Sequence, residues 1–247
     1  FTLLDEILGG FRKGQLVIVS AATGVGKTSF CQSLTERFLD NGHNSLWFSY
    51  EVGVEEFMEK MPGTKVFYLP KTIKQNSLDW VKLRIKEGIA KYNTRIVFID
   101  HLHYLLEMSK MAEAKSLSLL IGQMLRDLKS LAIEQNILIF LISHLKKIEG
   151  VAKPSLEDLR DSSFVAQESD TVIFLWRETE RVGGESFWTN KTRVSVKKNR
   201  RTGQLGSIRM SYEENRFLEI EKVNPEVEAQ TPRWESRQED RKWDKPI

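Results

Sequence analysis

The chain has 247 residues, enough for one large domain or two small ones around a substantial core. Its 37 basic and 34 acidic residues leave a formal charge of +3, which argues for nucleic acid only if the cations cluster. A single cysteine excludes an internal disulfide framework and fits a reducing compartment; no apolar run reaches membrane-spanning length, and the N-terminus lacks a signal-peptide layout. In chain order, Phe1 to Gly14 reads as a short amphipathic lead-in and a glycine turn. Gln15 to Ser20 has the Val and Ile content of a buried parallel strand. Ser29 to Leu39 repeats Phe30, Leu34 and Phe38 at helical spacing, with Cys31 read as core packing. Strands follow over Ser45 to Tyr50 and, more weakly, Lys65 to Leu69, with a short helix from Glu55 to Met61 between them. The periodicity predicts a helix over Leu78 to Tyr92 with Trp80, Leu83, Ile85 and Ile89 on its apolar face, then a strand from Arg95 to Asp100. Lys115 to Gln135 is the clearest helix, with Leu117, Leu120, Ile121, Met124, Leu125, Leu128, Leu131 and Ala132 on one side.

The second half is more broken. Ile137 to Ser143 is a buried strand, 146 to 167 a polar loop enclosing a short helix, and Asp170 to Trp176 another strand. After a polar break at Gly183-Gly184 come Arg193 to Lys197 and a closing hairpin, Gly206 to Tyr212 and Arg216 to Glu221. Strands alternating with helices predict a doubly wound α/β fold: a mostly parallel sheet, helices on both faces and a C-terminal antiparallel hairpin. The expected division is a core over residues 1–222 and a charged, flexible or surface-lying tail over 223–247, with Trp234 and Trp243 as docking points. The chain opens at Phe1 without a methionine and is expected to be an excised piece.

Ala21-Ala22-Thr23-Gly24-Val25-Gly26-Lys27-Thr28, between strand and helix, reads as a phosphate-binding loop. Small residues let the backbone wrap a triphosphate, whose charge meets free N–H groups at a helix N-terminus. Lys27 would reach the β- and γ-phosphates, and the Thr28 hydroxyl would ligate Mg²⁺. Ala21 stands where such loops usually open with glycine. The alternative, a glycine turn that only caps a helix, fits less well with Gly26-Lys27-Thr28 in register. Ligands of open parallel sheets collect beyond the carboxyl ends of the strands, so Glu51, Asp100 and His144 are expected to converge there. Asp100 suits a second Mg²⁺ contact, Glu51 a base for the attacking water, and His144 either a γ-phosphate sensor or a structural histidine. Arg193 to Gly203 carries five cations, Arg193, Lys197, Lys198, Arg200 and Arg201. Residue chemistry leaves two readings open for it, a solvated face or arginine-finger charge for a neighbouring subunit.

Together these pieces resemble the helicase domain of the DnaB-type hexameric family, which includes bacterial replicative helicases, phage primase-helicases and the mitochondrial helicase Twinkle. The similar motifs run in order over residues 1 to about 222: Leu4-Asp5-x-x-Leu8-Gly9-Gly10, the Ala21–Thr28 loop, Ser49-Tyr50-Glu51, Ile99-Asp100-His101-Leu102, Ile142-Ser143-His144-Leu145-Lys146-Lys147, Asp158 to Asp170, and Lys198-Asn199-Arg200-x-Thr202-Gly203. Leu159 to Asp170 is the most specific, and His144 is similar to the phage and mitochondrial branch. The resemblance implies a RecA-like fold and an ATP-dependent, ring-forming helicase that moves 5′ to 3′ on single-stranded DNA during replication. It implies ATP or another NTP on Ala22, Thr23, Gly24, Val25, Gly26, Lys27, Thr28 and Ser29, with Mg²⁺ on Thr28 and Asp100. Glu51 is then the base, His144 the sensor, and Lys198 and Arg200 reach the adjacent subunit's nucleotide. Arg177, at the end of its strand, matches a nucleotide-contacting arginine, and Tyr212 a residue that stacks on the base. DNA would meet loops near 107–115 and 146–165, with Arg160, Asp161 and Ser163 on successive phosphates. Expected partners are further copies in a hexameric ring, a primase or a polymerase, with no membrane. The location is intracellular: cytoplasm or nucleoid, mitochondrial matrix, or a phage-infected cell. A recombinase, a clock-type signalling ATPase and a nucleotide-binding scaffold are the competing readings.

Overall fold

The computed structural model describes residues 1–61, 67–71, 77–105, 117–145, 151–159, 162–183, 185–224 and 234–235. Runs of β-branched and aromatic residues form β1 (Leu16–Ala21), β2 (Ser45–Ser49), β3 (Ile96–Asp100) and β4 (Leu138–His144), each buried along almost its whole length. The two-residue β5 (Val151–Ala152) is followed by β6 (Thr171–Val182), β7 (Glu185–Asn199), β8 (Gly206–Glu213), β9 (Arg216–Lys222) and the two-residue β10 (Trp234–Glu235). Eight of these make one sheet in the order β2-β3-β4-β1-β6-β7-β8-β9. Pairing is parallel from β2 through β6 and antiparallel from β6 onward.

Alternate residues of β1 feed opposite faces, as the two-residue period of a strand requires. On one face Val17 and Val19 share a core cluster with Leu4 and Leu8 of α1 (Thr2–Leu8), Phe30 and Leu34 of α2 (Lys27–Asp40), and Phe57 of α3 (Val54–Glu59). On the other face Leu16 and Ile18 share a core cluster with Val81 and Ile85 of α4 (Leu78–Tyr92) and Ile121, Leu125 and Leu128 of α5 (Leu117–Glu134). Register adds an aromatic ladder on the first face. Trp47 and Phe98 are paired across β2 and β3, Phe98 and Phe140 across β3 and β4. The rings stack at 4.5 and 4.6 Å between centroids. Such pairs contribute about 0.5–1.5 kcal/mol each beyond their burial.

Two expectations are corrected. Leu83 is half-exposed at 51%, while Val81, Ile85 and Gly88 face the core. At 100° per residue, Leu83 lies about 200° around the helix from Val81, so both cannot share one stripe. The break expected at Gly183 is a turn inside a long ladder: Arg181↔Ser186 and Val182↔Glu185 continue the pairing of β6 with β7. Its polar residues conceal it, because ladder hydrogen bonds, rather than apolar burial, hold that end. The antiparallel part is therefore wider than a closing hairpin, although β8 and β9 do form one through Glu214 and Asn215, both left-handed. Of the expected tail, Trp234 and Glu235 pair antiparallel with Ala152 and Val151; Trp243 lies outside the described residues. The strand expected over Lys65 to Leu69 is described only from 67, where Tyr68 makes an isolated parallel bridge to Leu46.

Candidate nucleotide site

Ala21, where a glycine was expected, is the last residue of β1 and needs no left-handed backbone. The chain then turns through Gly24 at φ +79° and Gly26 at φ +99°, a region L side chains rarely enter. At Gly26 a Cβ would also sit 3.2 Å from the Phe217 ring. Ala22, Thr23 and Gly24 form the exposed crest, Val25 sits half-buried beside them, and α2 begins at Lys27. The first amides of that helix have no partners within it, which makes the loop an anion cradle.

Lys27 is buried, and its Nζ donates to the carbonyls of Ala21 and Ala22 at 3.1 Å each. Burial pushes its pKa below the ordinary lysine value, opposed by the carboxylates of Asp100 and Glu51. The Thr28 hydroxyl donates to Asp100 Oδ2 at 2.6 Å. Asp100 has no solvent exposure, and burial raises its pKa to about 6, against the opposing Thr28 hydrogen bond. Its other oxygen, Oδ1, has no hydrogen-bond partner among the described residues. A buried carboxylate with a spare oxygen beside a hydroxyl is the donor set a hard divalent cation takes, so Thr28 and Asp100 fit Mg²⁺.

Sheet register gathers the rest. Ser49 pairs with Asp100, Asp100 with Ile142, and Ala21 with His144, so β1 to β4 end together. Glu51, two residues past β2, places Oε2 3.8 Å from His144 Nε2. The His101 ring stands edge-on to His144, 4.4 Å between centroids. Ser29 lies in the first turn of α2, and the Tyr212 hydroxyl approaches its Oγ at 3.5 Å while its ring packs on Phe217. Arg177 is not at a strand end: β6 continues to Val182, and its Nε donates to the Thr189 carbonyl at 2.6 Å.

The basic run is mostly tied to its own subunit. Arg193 is buried and bonds Glu178 at 2.9 Å through Nε, and Lys197 stands 5.9 Å from the Trp176 ring centroid. Arg201 donates to the carbonyls of Leu8 and Gly9, at the end of α1. Lys198 donates to the carbonyls of Ala166 and Ser169, the latter at 2.5 Å, where α6 (Ser162–Glu168) ends. Burial and the neighbouring Arg200 push its pKa down, with Asp170 and Glu168 opposing. Arg200 is the most open of these contacts. It donates to the Gln167 carbonyl at 2.5 Å and lies 3.8 Å from Asp170, with about half its side chain exposed. The expected DNA residues Arg160 and Asp161, and the 107–115 stretch, lie outside the described residues; Ser163 falls in the first turn of α6.

Two acidic residues have structural roles that the sequence did not assign to them. Asp170 Oδ2 accepts from Leu16 N at 2.8 Å and Lys129 Nζ at 2.6 Å, joining β1, α5 and the start of β6. Glu178 holds both Arg193 and Arg209. A carboxylate directly before an apolar strand was the available signal for Asp170; Glu178 lay in the stretch read as a break.

An open α/β sheet with this loop, and with carboxylates and a histidine at neighbouring strand ends, defines a RecA-like nucleotide-binding core. The chain belongs to the family described as DnaB-like helicase C terminal domain, whose model matches residues 1–80 and 67–219. It is 25% identical over 260 residues to the replicative DNA helicase DnaC of Bacillus subtilis, covering 90% of this chain and 56% of that protein. It is 26% identical over 247 residues to the replicative DNA helicase DnaB of Haemophilus influenzae, covering 86% and 52%. The chain thus spans about half the length of the curated relatives it matches. Its fold is shared with a solved ATPase domain, at TM-score 0.76 and 22% identity over 90% of both chains. A DnaB-like replicative helicase, solved in a study of its interactions with primase, matches at TM-score 0.76 and 23% identity, over 90% of this chain and 61% of that one.

Proposed function

We propose that this chain is the motor domain of a replicative DNA helicase, converting NTP hydrolysis into movement along single-stranded DNA. The observation that carries the reading is the convergence of Lys27, Thr28, Asp100, Glu51 and His144 at adjacent strand ends in a member of this family. Residues 22–29 would hold the triphosphate, and Thr28 with Asp100 would hold Mg²⁺; bound there, the Mg²⁺–nucleotide supplies a γ-phosphoryl group open to attack by water. Lys27 brings positive charge to the phosphates and would exchange its bonds to Ala21 and Ala22 for phosphate oxygens. Glu51, on the exposed side, accepts the proton of the attacking water. His144 stands beside Glu51 and donates to the γ-phosphate. Ser29 and Tyr212 border the same helix end, and Arg177 is the more remote contact.

Arg200 and Lys198 serve a nucleotide held by the adjacent copy, which makes the working form a ring, expected to be hexameric. DNA is held on the loops carrying Arg160, Asp161 and Ser163. Primase or polymerase partners belong to this reading, the primase supported by the solved DnaB-like helicase described for its interactions with primase. The test is ATPase activity with and without single-stranded DNA, together with strand displacement on a forked duplex. Lys27→Ala should lose turnover, whereas Glu51→Gln should keep nucleotide affinity and lose about 10²–10⁴ in rate, because a base acts only on the reacting water. DNA-stimulated hydrolysis with strand exchange in place of displacement would make the chain a recombinase. Hydrolysis indifferent to DNA would leave a signalling ATPase, and nucleotide binding without turnover a scaffold.

A further inference from the structure

Glu51, His101 and His144 offer one carboxylate oxygen and two imidazole nitrogens, all within 4.8 Å of one another. We propose that these three side chains form a binding site for a borderline transition-metal cation of the Zn²⁺ class, separate from the oxygen-donor Mg²⁺ position at Thr28 and Asp100, and that its occupation stops hydrolysis. The donor set decides the class. Two nitrogens and one carboxylate suit Zn²⁺, whereas Mg²⁺ and Ca²⁺ take oxygen ligands. Metal–ligand lengths of about 2.0–2.2 Å in a tetrahedral site put ligand atoms roughly 3.3–3.6 Å apart. Glu51 Oε2 and His144 Nε2 already stand 3.8 Å apart, and the third donor must close by little more than an ångström.

The position favours small adjustment. His101 follows β3 directly and His144 ends β4, so the sheet fixes both backbones, while Glu51 is the exposed member and can swing. With three protein ligands, a fourth tetrahedral position remains for water, the arrangement of an open zinc site. The inhibitory half of the proposal rests on the roles given above to Glu51 and His144: a metal bound here takes the lone pair of the base and the place of the imidazole proton offered to the γ-phosphate.

Binding and inhibition are measured separately. Co²⁺ is titrated into the nucleotide-free protein, and its visible ligand-field absorption reports tetrahedral nitrogen–oxygen coordination; Zn²⁺ should displace it with one-to-one stoichiometry. His101→Ala should weaken Co²⁺ binding by at least the roughly 10- to 100-fold that losing even an outer-shell partner costs at metal sites. The His43→Gln/His103→Gln double variant should bind as the unaltered protein does. ATPase in excess Mg²⁺ should fall with micromolar free Zn²⁺ and recover with a chelator, and His101→Ala should resist zinc relative to its own zinc-free rate. Absence of a tetrahedral cobalt spectrum, its persistence in His101→Ala, or its loss in the double variant overturns the site. Binding that leaves hydrolysis untouched overturns the inhibitory half and removes Glu51 from the base role, while the ligand set stands; this separates the two failures.

Discussion

Asp100 is a buried acid whose ionised form opposes the fold. Its carboxylate is buried with one oxygen bonded only to Thr28 and the other without a hydrogen-bond partner among the described residues, and burial lifts its pKa to about 6. The folded value lies above the unfolded value of about 3.9, so the proton favours the fold. This contribution is fully present below about pH 4 and is lost as pH rises through about 6. Above that window the ionised group is a cost of up to roughly 3 kcal/mol, which a bound divalent cation would offset. Asp100→Asn keeps the acceptor for Thr28 and removes the charge. In urea unfolding at pH 7 with EDTA, the variant should be the more stable protein, and its stability should vary less between pH 4 and 7. In return it should lose the stabilisation that Mg²⁺ with nucleotide confers on the unaltered chain. A variant less stable than its parent under EDTA at pH 7 would show that the buried carboxylate is neutralised some other way. The place of Asp100 at a strand end was legible in sequence because four apolar residues leading to an acid is a local pattern; its surroundings were not, because they depend on neighbouring strands meeting.

At the scale of elements, α6 is held at two points by distant parts of the chain. At its C-terminal end Lys198 reaches across from β7 to the carbonyls of Ala166 and Ser169. On its flank Phe164 lies against α5 at Gly122, where a Cβ would come 2.7 Å from Phe164 Cδ1. Lys198→Ala leaves helix-end carbonyls without their cation and should cost about 1–2 kcal/mol, read as faster amide exchange over residues 162–169; Lys198→Arg should restore part of it. Exchange confined to its original rate would mean that the lysine contributes nothing to the helix. Gly122→Ala should gain the alanine preference of a helix interior, about 0.5–1 kcal/mol, yet lose more by displacing the ring. Net destabilisation of about 1 kcal/mol is expected, and Phe164→Leu in the same chain should relieve it; a variant more stable than the parent would show that the ring moves freely. The sequence pattern announced both helices but not their contact, since a glycine in an amphipathic run carries no sign of the side chain it faces. Likewise the five cations between Arg193 and Arg201 look alike in sequence, and only the fold separates the buried Arg193 from the half-exposed Arg200.

For the whole molecule, the question is which groups are complete within one copy. The phosphate loop, Thr28, Asp100, Glu51 and His144 all lie at the ends of β1 to β4 and their following loops, whereas Arg200 follows β7, on the antiparallel side of the sheet. Within its own copy Arg200 bonds Gln167 and pairs with Asp170, and neither belongs to the phosphate loop. If Arg200 serves the nucleotide of an adjacent copy, Arg200→Ala removes the finger while leaving its own loop and base intact, and Lys27→Ala does the reverse. Mixed assemblies would then contain interfaces that join a sound loop to a sound finger. Combining the two nearly inactive variants, at a protein concentration where sedimentation shows assembly and subunit exchange, should therefore recover ATPase activity. A finger supplied in trans is worth about 10³–10⁵ in rate, so even a minor fraction of repaired interfaces rises well above either variant alone. Arg200→Lys should recover much less, because a point charge does not replace the planar fork of a guanidinium. If exchange is demonstrated and the mixture is no more active than its components, Arg200 acts within its own copy, and its contacts to Gln167 and Asp170 are its whole role.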